Sequence, residues 1–266
     1  MSSRARHASA PAAPGVVGPE AYSRWRETTL GAVTETIEHR LLYQLVGVIE
    51  GKRVLDLGCG DGMFTWILAT RGARAVGIDI DRRMLRAAAA RAAGAGVRSR
   101  FVEGRVERLP FRDGAFDVVV AVTVLCLVDD VHAAAREAVR VLRPGGRLVI
   151  GDLGRWSTWA AVRRVRGWLG APTWKRAHFS TAGELRAMVE SLGVSVDIVR
   201  GAVYYPPIAA LATLMAPADR WLGALTTAGA AFVGVSGRKK FGVDRSNRTA
   251  LSHTASCLPP RADFEP

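Results

Sequence analysis

Residues 53–62 read Arg-Val-Leu-Asp-Leu-Gly-Cys-Gly-Asp-Gly, and both the residue types and their spacing point to a chemistry. Apolar Val54–Leu57 predict a strand that runs straight into Gly58, Gly60 and Gly62, and a helical pattern follows from Met63 to Ala69. Strand, glycine turn and helix form a ligand crevice at the carboxyl edge of a parallel sheet. Glycine lets the chain turn sharply there and lets a ligand approach where a Cβ would block it. A dinucleotide fingerprint needs the spacing G-x-G-x-x-G, but its third glycine is replaced here by Met63. The turn instead reads G-x-G-x-G, with Asp56 two residues ahead of it. An acid beside a turn of amides repels a diphosphate and suits a ligand that carries both an ammonium and a carboxylate. A second acid, Asp79, closes the run Ala75-Val76-Gly77-Ile78-Asp79. At a strand end, a carboxylate can accept both hydroxyls of a ribose. An adenosine joined to an amino acid meets both demands.

Four blocks then carry a resemblance. They are VLDLGCGDG, VGIDID followed by Met84 and Leu85, LPF-x-DGAFDVV, and RVLRPGG-x-LVI. In this order and spacing the chain resembles a class I S-adenosylmethionine-dependent methyltransferase, of the broad group that includes ubiquinone- and menaquinone-type small-molecule enzymes. The likeness spans residues 20–240. It implies a three-layer, Rossmann-like α/β fold with a seven-stranded, mostly parallel sheet whose last strand is antiparallel. S-adenosyl-L-methionine is the implied cofactor. By the same resemblance Asp56 sits near the methionine ammonium, Gly58, Cys59 and Gly60 cradle the methionine part and ribose, and Asp79 binds the ribose hydroxyls. Ile80 and Met84 pack on adenine, Val106 offers a backbone amide to the adenine ring, and Thr123 faces the sulfur region. Tyr22 and Trp25 precede the first strand, where relatives fold a lid over the cofactor; their other reading is as anchors of the first helix.

Two positions depart from the family pattern. Where relatives often carry Gly-Asp-Ala, this chain has Gly104-Arg105-Val106. Arginine has only donors, so Arg105 cannot accept a bond from the adenine amino group. After the fourth strand, the histidines frequent in relatives are absent from Thr123-Val124-Leu125-Cys126-Leu127. Cys126 reads as an apolar filler and His132 as a surface residue, which leaves His178 as a weak candidate base. Methyl transfer from a sulfonium asks mainly for alignment and exclusion of water. A missing nucleophile–base triad therefore does not argue against an enzyme.

The elements that must position these residues follow from periodicity. Strands are expected near 53–57, 74–79, 98–103, 116–122 and 146–152, with helices near 62–70, 81–93 and 130–142. Such alternation builds a parallel sheet covered on both faces. A helix at 181–192, a strand at 194–200 and a last strand at 230–235 complete the domain, which is read as residues 20–241. An Ala/Pro/Gly-rich tail (1–19) and a polar tail (242–266) read as disordered or flexible.

Two stretches are left for the substrate side, about 153–180 and 203–228. The first carries Arg155, Arg163, Arg164, Arg166, Lys175 and Arg176 interleaved with Trp156, Trp159, Trp168 and Trp174, and no acid between Arg155 and Arg176. It has three readings: a lid whose tryptophans wall an apolar pocket, a helix resting on an anionic membrane, or a nucleic-acid surface. They rank in that order, with Trp156 and Trp159 taken as lid residues. The second stretch reads as a hydrophobic hairpin roofing the pocket. No run is long enough to span a bilayer.

Composition is that of a globular protein, with 49% hydrophobic and 23% charged residues. Its three cysteines, Cys59, Cys126 and Cys257, have no disulfide or metal spacing, which fits a reduced, cytoplasmic setting without a metal. The formal charge of +13 favours anionic surfaces in general. The expected function is methyl transfer to a small apolar or aromatic acceptor, with O-methylation slightly favoured. Its rivals are methylation of RNA or protein, and a non-catalytic cofactor-binding protein of the same fold.

Overall fold

The computed structural model describes residues 18–241, so the two expected tails lie outside the described residues except for Gly18 and Pro19. Pro19 already opens a helix, α1 (Pro19–Glu27), where its missing N–H costs nothing. Helix α2 (Thr29–Val46) follows, capped by the Thr28 hydroxyl on the Gly31 amide. There follow β1 (Arg53–Leu57), α3 (Met63–Thr70), β2 (Arg74–Asp79), α4 (Arg82–Gly94), β3 (Arg100–Glu103) and β4 (Phe116–Val122). Next come α5 (Val131–Val141), β5 (Leu142–Leu153), α6 (Thr158–Trp168), α7 (Pro172–Arg176) and α8 (Ala182–Ser191). The last elements are β6 (Val194–Ala202), α9 (Ala209–Leu225) and β7 (Phe232–Lys239).

The seven strands form one sheet in the order β3-β2-β1-β4-β5-β7-β6. All pairs are parallel except those of β7, which lies antiparallel between β5 and β6. The expected three-layer α/β fold with an antiparallel last strand is the one found. Strand β1 has β2 on one side and β4 on the other, so the chain changes direction at its carboxyl end. A crevice opens at such a switch point. Both faces of the sheet are apolar: Leu55, Leu57, Val119 and Ala121 enter one core, and Val54, Val118 and Val120 enter the other. Alternation of this kind is what buries a central parallel strand on both sides.

The position of α2 matters most for the site. Leu45 offers its carbonyl to Arg147 near the start of β5. Leu42 lies over Gly151 near the end of that strand, where an added Cβ would come within 3.1 Å of the leucine. Helix α2 therefore runs back along β5, and its earlier turns project past the carboxyl edge of the sheet.

The apolar stretch 203–228 is not the expected hairpin. It forms one helix, α9, with Pro217 inside it. Proline normally kinks or breaks a helix, and the two apolar runs flanking it suggested a turn. Tertiary contacts hold the helix together instead. Asp219 is buried and accepts the amides of Val203 and Tyr204 at 3.1 and 2.9 Å. This ties the half beyond Pro217 to the exit of β6.

Candidate active site

The G-x-G-x-G turn leaves β1 with Gly58, Gly60 and Gly62 all at positive φ (63°, 54° and 73°). L-residues pay for that conformation. A Cβ on Gly58 would also strike the Val124 side chain, with Val124 Cβ only 2.7 Å away. At Gly60, by contrast, a Cβ would meet nothing within 4 Å, so this backbone borders open space. Helix α1 is clamped over the turn. Arg26 makes a bidentate ion pair with the buried Asp61, which Arg91 of α4 also reaches at 2.9 Å.

The two expected acids both lie at the turn and are both shifted by burial. Asp56 is 2% exposed and accepts the Thr65 hydroxyl at 2.6 Å. No cation of the described residues pairs with it. Burial pushes its pKa up to about 7, the Thr65 hydroxyl pulls it down, and Asp79 adds a smaller upward push. Asp79 accepts the amides of Gly60 and Asp81 at 2.9 and 2.8 Å. Burial raises its pKa, and those amides offset part of the rise. Cys59 is buried and its thiol is pushed up by burial and by both acids, so it is no nucleophile. Its amide is spent on the Ile78 carbonyl.

Next to the half-buried Asp79, Ile80 is 60% exposed, while Met84 and Val106 are buried. Thr123 lies one residue beyond β4 with φ 48°, its amide donating to Gly151 O at 2.7 Å. A β-branched residue in that region is strained. Arg105 turns outward to pair with Glu107 and Asp129, at 2.8 and 3.6 Å, rather than lying over the crevice.

These features fit S-adenosylmethionine. Asp56 is a buried acid without a cation, which an ammonium would satisfy. Asp79 has been fixed by two amides with lone pairs to spare, the Gly60 backbone is open to close approach, and Ile80 offers an apolar platform. Sheet order, glycine turn and donor set together define a class I methyltransferase fold built for that cofactor.

Comparison with known proteins agrees. A family model described as a methyltransferase domain matches residues 55–150. An uncharacterized protein of Mycobacterium tuberculosis is 33% identical over 216 residues, which cover 81% of this chain and 70% of that one. A ubiquinone biosynthesis O-methyltransferase of Idiomarina loihiensis is 30% identical over 162 residues, covering 59% of this chain and 67% of the relative. A Thermotoga maritima structure, described as an S-adenosylmethionine-dependent methyltransferase and possible histamine N-methyltransferase, superposes with a TM-score of 0.64 at 23% identity, over 83% of this chain and 96% of that one. At that identity the likeness speaks for the fold alone. The chain belongs to the class I S-adenosylmethionine-dependent methyltransferases.

The expected lid residues do not stay together. Tyr22 and Trp25 lie on α1, their rings 5.9 Å apart, with Arg26 over the Tyr22 ring at 5.2 Å. Trp159 is buried at the start of α6 and donates its indole N–H to Tyr205 O at 2.9 Å. Trp156 is 70% exposed and does not join it. The His178 ring is exposed, and only its backbone amide contacts the site, on Cys126 O.

Several site-bordering residues escaped the sequence reading. Asp61 stood in plain view inside the glycine turn, but its partners are 35 and 30 residues away. Tyr205, whose hydroxyl meets the buried Thr34 hydroxyl at 3.0 Å, falls in the substrate-side stretch 203–228, but nothing local singles it out within that stretch. Asp152 ends β5 almost fully buried, with its pKa pushed to about 6 by burial. It lies close to the Cys126 thiol, whose own pKa burial raises further.

Proposed function

We propose that this methyltransferase acts on a small aromatic or apolar acceptor, with transfer to oxygen favoured over nitrogen or carbon. The observation that carries the reading is the buried, aromatic-containing cluster under α2, where the Trp159 indole donates to the Tyr205 carbonyl and the Tyr205 hydroxyl meets Thr34. Water-poor, aromatic-containing surroundings suit a flat, greasy acceptor and not a polar amine.

In this reading Asp56 neutralises the cofactor ammonium, and the Gly58–Cys59–Gly60 backbone cradles the methionine part. Asp79 accepts the ribose hydroxyls, Ile80 and Met84 flank adenine, and the Val106 amide faces the adenine ring. Thr123 stands nearest the sulfur. Bound S-adenosylmethionine supplies an activated methyl on a good leaving group. The chain's own task is then to align the acceptor and exclude water. Helix α1, clamped by Arg26 and carrying Tyr22 and Trp25, serves as the cover. His178 is the weaker candidate base, since its ring faces solvent.

The test is to incubate the protein with methyl-labelled S-adenosylmethionine and two acceptor panels, phenols and hydroxyquinones against amines and small acids. Labelled ethers are the expected product. Methylation of amines alone would contradict the reading.

A second reading concerns the outer rim. Trp168 and Leu169 are 82% and 81% exposed at the end of α6, beside Arg166 and Lys175. Aromatic and basic residues together suit the headgroup region of an anionic membrane. Among the described residues no helix is long and apolar enough to cross a membrane, so such contact would be peripheral. Sedimentation with anionic but not with zwitterionic vesicles is the expected result, and equal behaviour with both would contradict it.

A further inference from the structure

Two charged side chains under the roof make no hydrogen bond or ion pair among the described residues. Arg163, on α6, is half-buried, its guanidinium 5.1 Å from the Trp159 ring centre and 5.0 Å from that of Trp174. Three of its neighbours in the same basic segment are engaged, while Arg166 and Lys175 are exposed. Arg155 pairs with Glu184, Arg164 donates to Arg155 O, and Arg176 pairs with Asp129. Among the described residues, Arg163 makes no hydrogen bond and no ion pair. Its polar atoms are not sealed off either, so they border open space. Burial lowers its pKa, while the charges of Glu38, Cys126 and Tyr22 support its cationic form. Trp159 donates to Tyr205 O and the Tyr205 hydroxyl meets Thr34, so the guanidinium beside Trp159 lies near the first turns of α2.

Glu38 is the second such group. It sits one turn before Leu42 on α2, and Leu42 lies over Gly151. At 1.5 Å per residue, one turn carries Glu38 about 6 Å beyond Gly151. That is the carboxyl edge of β4 and β5, where Thr123 donates to Gly151 O. One turn further, Thr34 meets Tyr205. Val124, in the same loop as Thr123, touches the Gly58 position, so this edge adjoins the cofactor turn. The charged groups facing Glu38 are Arg163 from α6, Glu35 from its own helix and Asp219 from α9; the Tyr205 hydroxyl lies nearby. Burial and the two carboxylates push its pKa up to about 7, and Arg163 pulls against them. Glu38 has no hydrogen bond or ion pair among the described residues.

Arg163 and Glu38 stand on different elements and act on each other's charge without closing into an ion pair, so both keep hydrogen-bonding capacity for a ligand. We infer that this pair reads the methyl acceptor, with Arg163 binding a carboxylate on an aromatic acid and Glu38 accepting a hydrogen bond from the hydroxyl to be methylated. A planar guanidinium matches a carboxylate with two parallel bonds. The flanking indoles hold the guanidinium flat and offer stacking area. The inference rests on the methyltransferase reading above and narrows its acceptor to a hydroxylated aromatic acid.

Calorimetric titration of the full chain, saturated with S-adenosylhomocysteine, tests it with 2-naphthoate, 2-naphthamide and 6-hydroxy-2-naphthoate. The wild type should bind the acid at least tenfold tighter than the neutral amide. R163Q should erase that preference and R163K should keep part of it, while S-adenosylhomocysteine affinity stays unchanged in both. E38Q should keep the acid preference but lose the added affinity of the hydroxy acid. No binding of any probe, no acid preference in the wild type, or a preference that survives R163Q would each overturn the inference. Should S-adenosylhomocysteine itself fail to bind the wild type, the methyltransferase reading would fall, and the two failures are thus distinguishable.

Discussion

On the glycine side of the cleft, Asp56, the turn residues and Asp79 fall within one short stretch of chain and one strand–turn–helix–strand unit. On the roof side, Thr34, Arg163 and Tyr205 come from α2, α6 and the loop after β6, and they meet only in three dimensions. The glycine side is held by backbone geometry: positive φ angles, a strand end, and amides on Asp79. The roof is held by side-chain bonds such as Trp159 to Tyr205 and Asp219 to the β6 exit. A part fixed by backbone can be met by one cofactor across a large family. A part fixed by scattered side chains can be rebuilt for each acceptor without touching the first.

If that division is right, damage to one side should spare the other. The largest effect is expected at Gly58→Ala. The left-handed conformation costs about 1–2 kcal/mol for an L-residue, and crowding against Val124 adds about 1–3 kcal/mol. Cofactor binding should become undetectable and the melting temperature should fall, both readable by calorimetry. Near-normal binding would mean that the turn can relax, and that backbone geometry is not what holds this side.

The next effect is on pH. The empty protein holds Asp56 partly protonated around pH 7, and an ammonium ligand needs it ionised. Cofactor affinity should therefore fall as pH drops through 7, by about tenfold between pH 8 and pH 6. Above pH 8 it should level off. Because the folded pKa is raised, the empty fold also loses stability as pH climbs from the ordinary carboxylate range towards 7. Asp56→Asn should flatten the affinity profile; a profile unchanged by that substitution would assign the proton elsewhere.

A smaller effect belongs to the roof. Thr34→Val removes the bond to the Tyr205 hydroxyl and should cost about 1 kcal/mol of stability, seen as a shifted denaturation midpoint. Affinity for S-adenosylhomocysteine should stay within about twofold, since a 1.4 kcal/mol change would be needed for tenfold. A tenfold loss would show that the two sides are coupled. The smallest effect is expected at Trp168→Ala, on the exposed rim. Stability should move by no more than about 0.5 kcal/mol, and only vesicle binding should respond.

The same division explains what the amino-acid order revealed. The run from Val54 to Gly62 and the acid at Asp79 are local, strand and helix periodicity indicates the sheet, and the family resemblance implies its antiparallel last strand. The roof was opaque for physical reasons. Pro217 and the apolar runs around it suggested a hairpin, because the contact that rescues the helix, Asp219 on the Val203 and Tyr204 amides, joins distant positions. Arg163 was one of six basic residues in a segment, and nothing in their spacing marked it as the one between two indoles. Glu38 looked like an ordinary polar residue of an amphipathic helix. Trp156 and Trp159 are three residues apart and were read together, yet one is exposed and the other buried. Trp156 precedes α6, so helical spacing does not apply to the pair.

The central claim is that the Gly58–Asp79 edge binds S-adenosylmethionine, and calorimetric titration of wild type and Asp79→Ala with that cofactor tests it most directly. The account predicts saturable one-to-one binding by the wild type. It also predicts a loss of about 1.5–3 kcal/mol for each ribose hydroxyl contact removed in the variant. No binding by the wild type, or equal affinity in the two proteins, would contradict it.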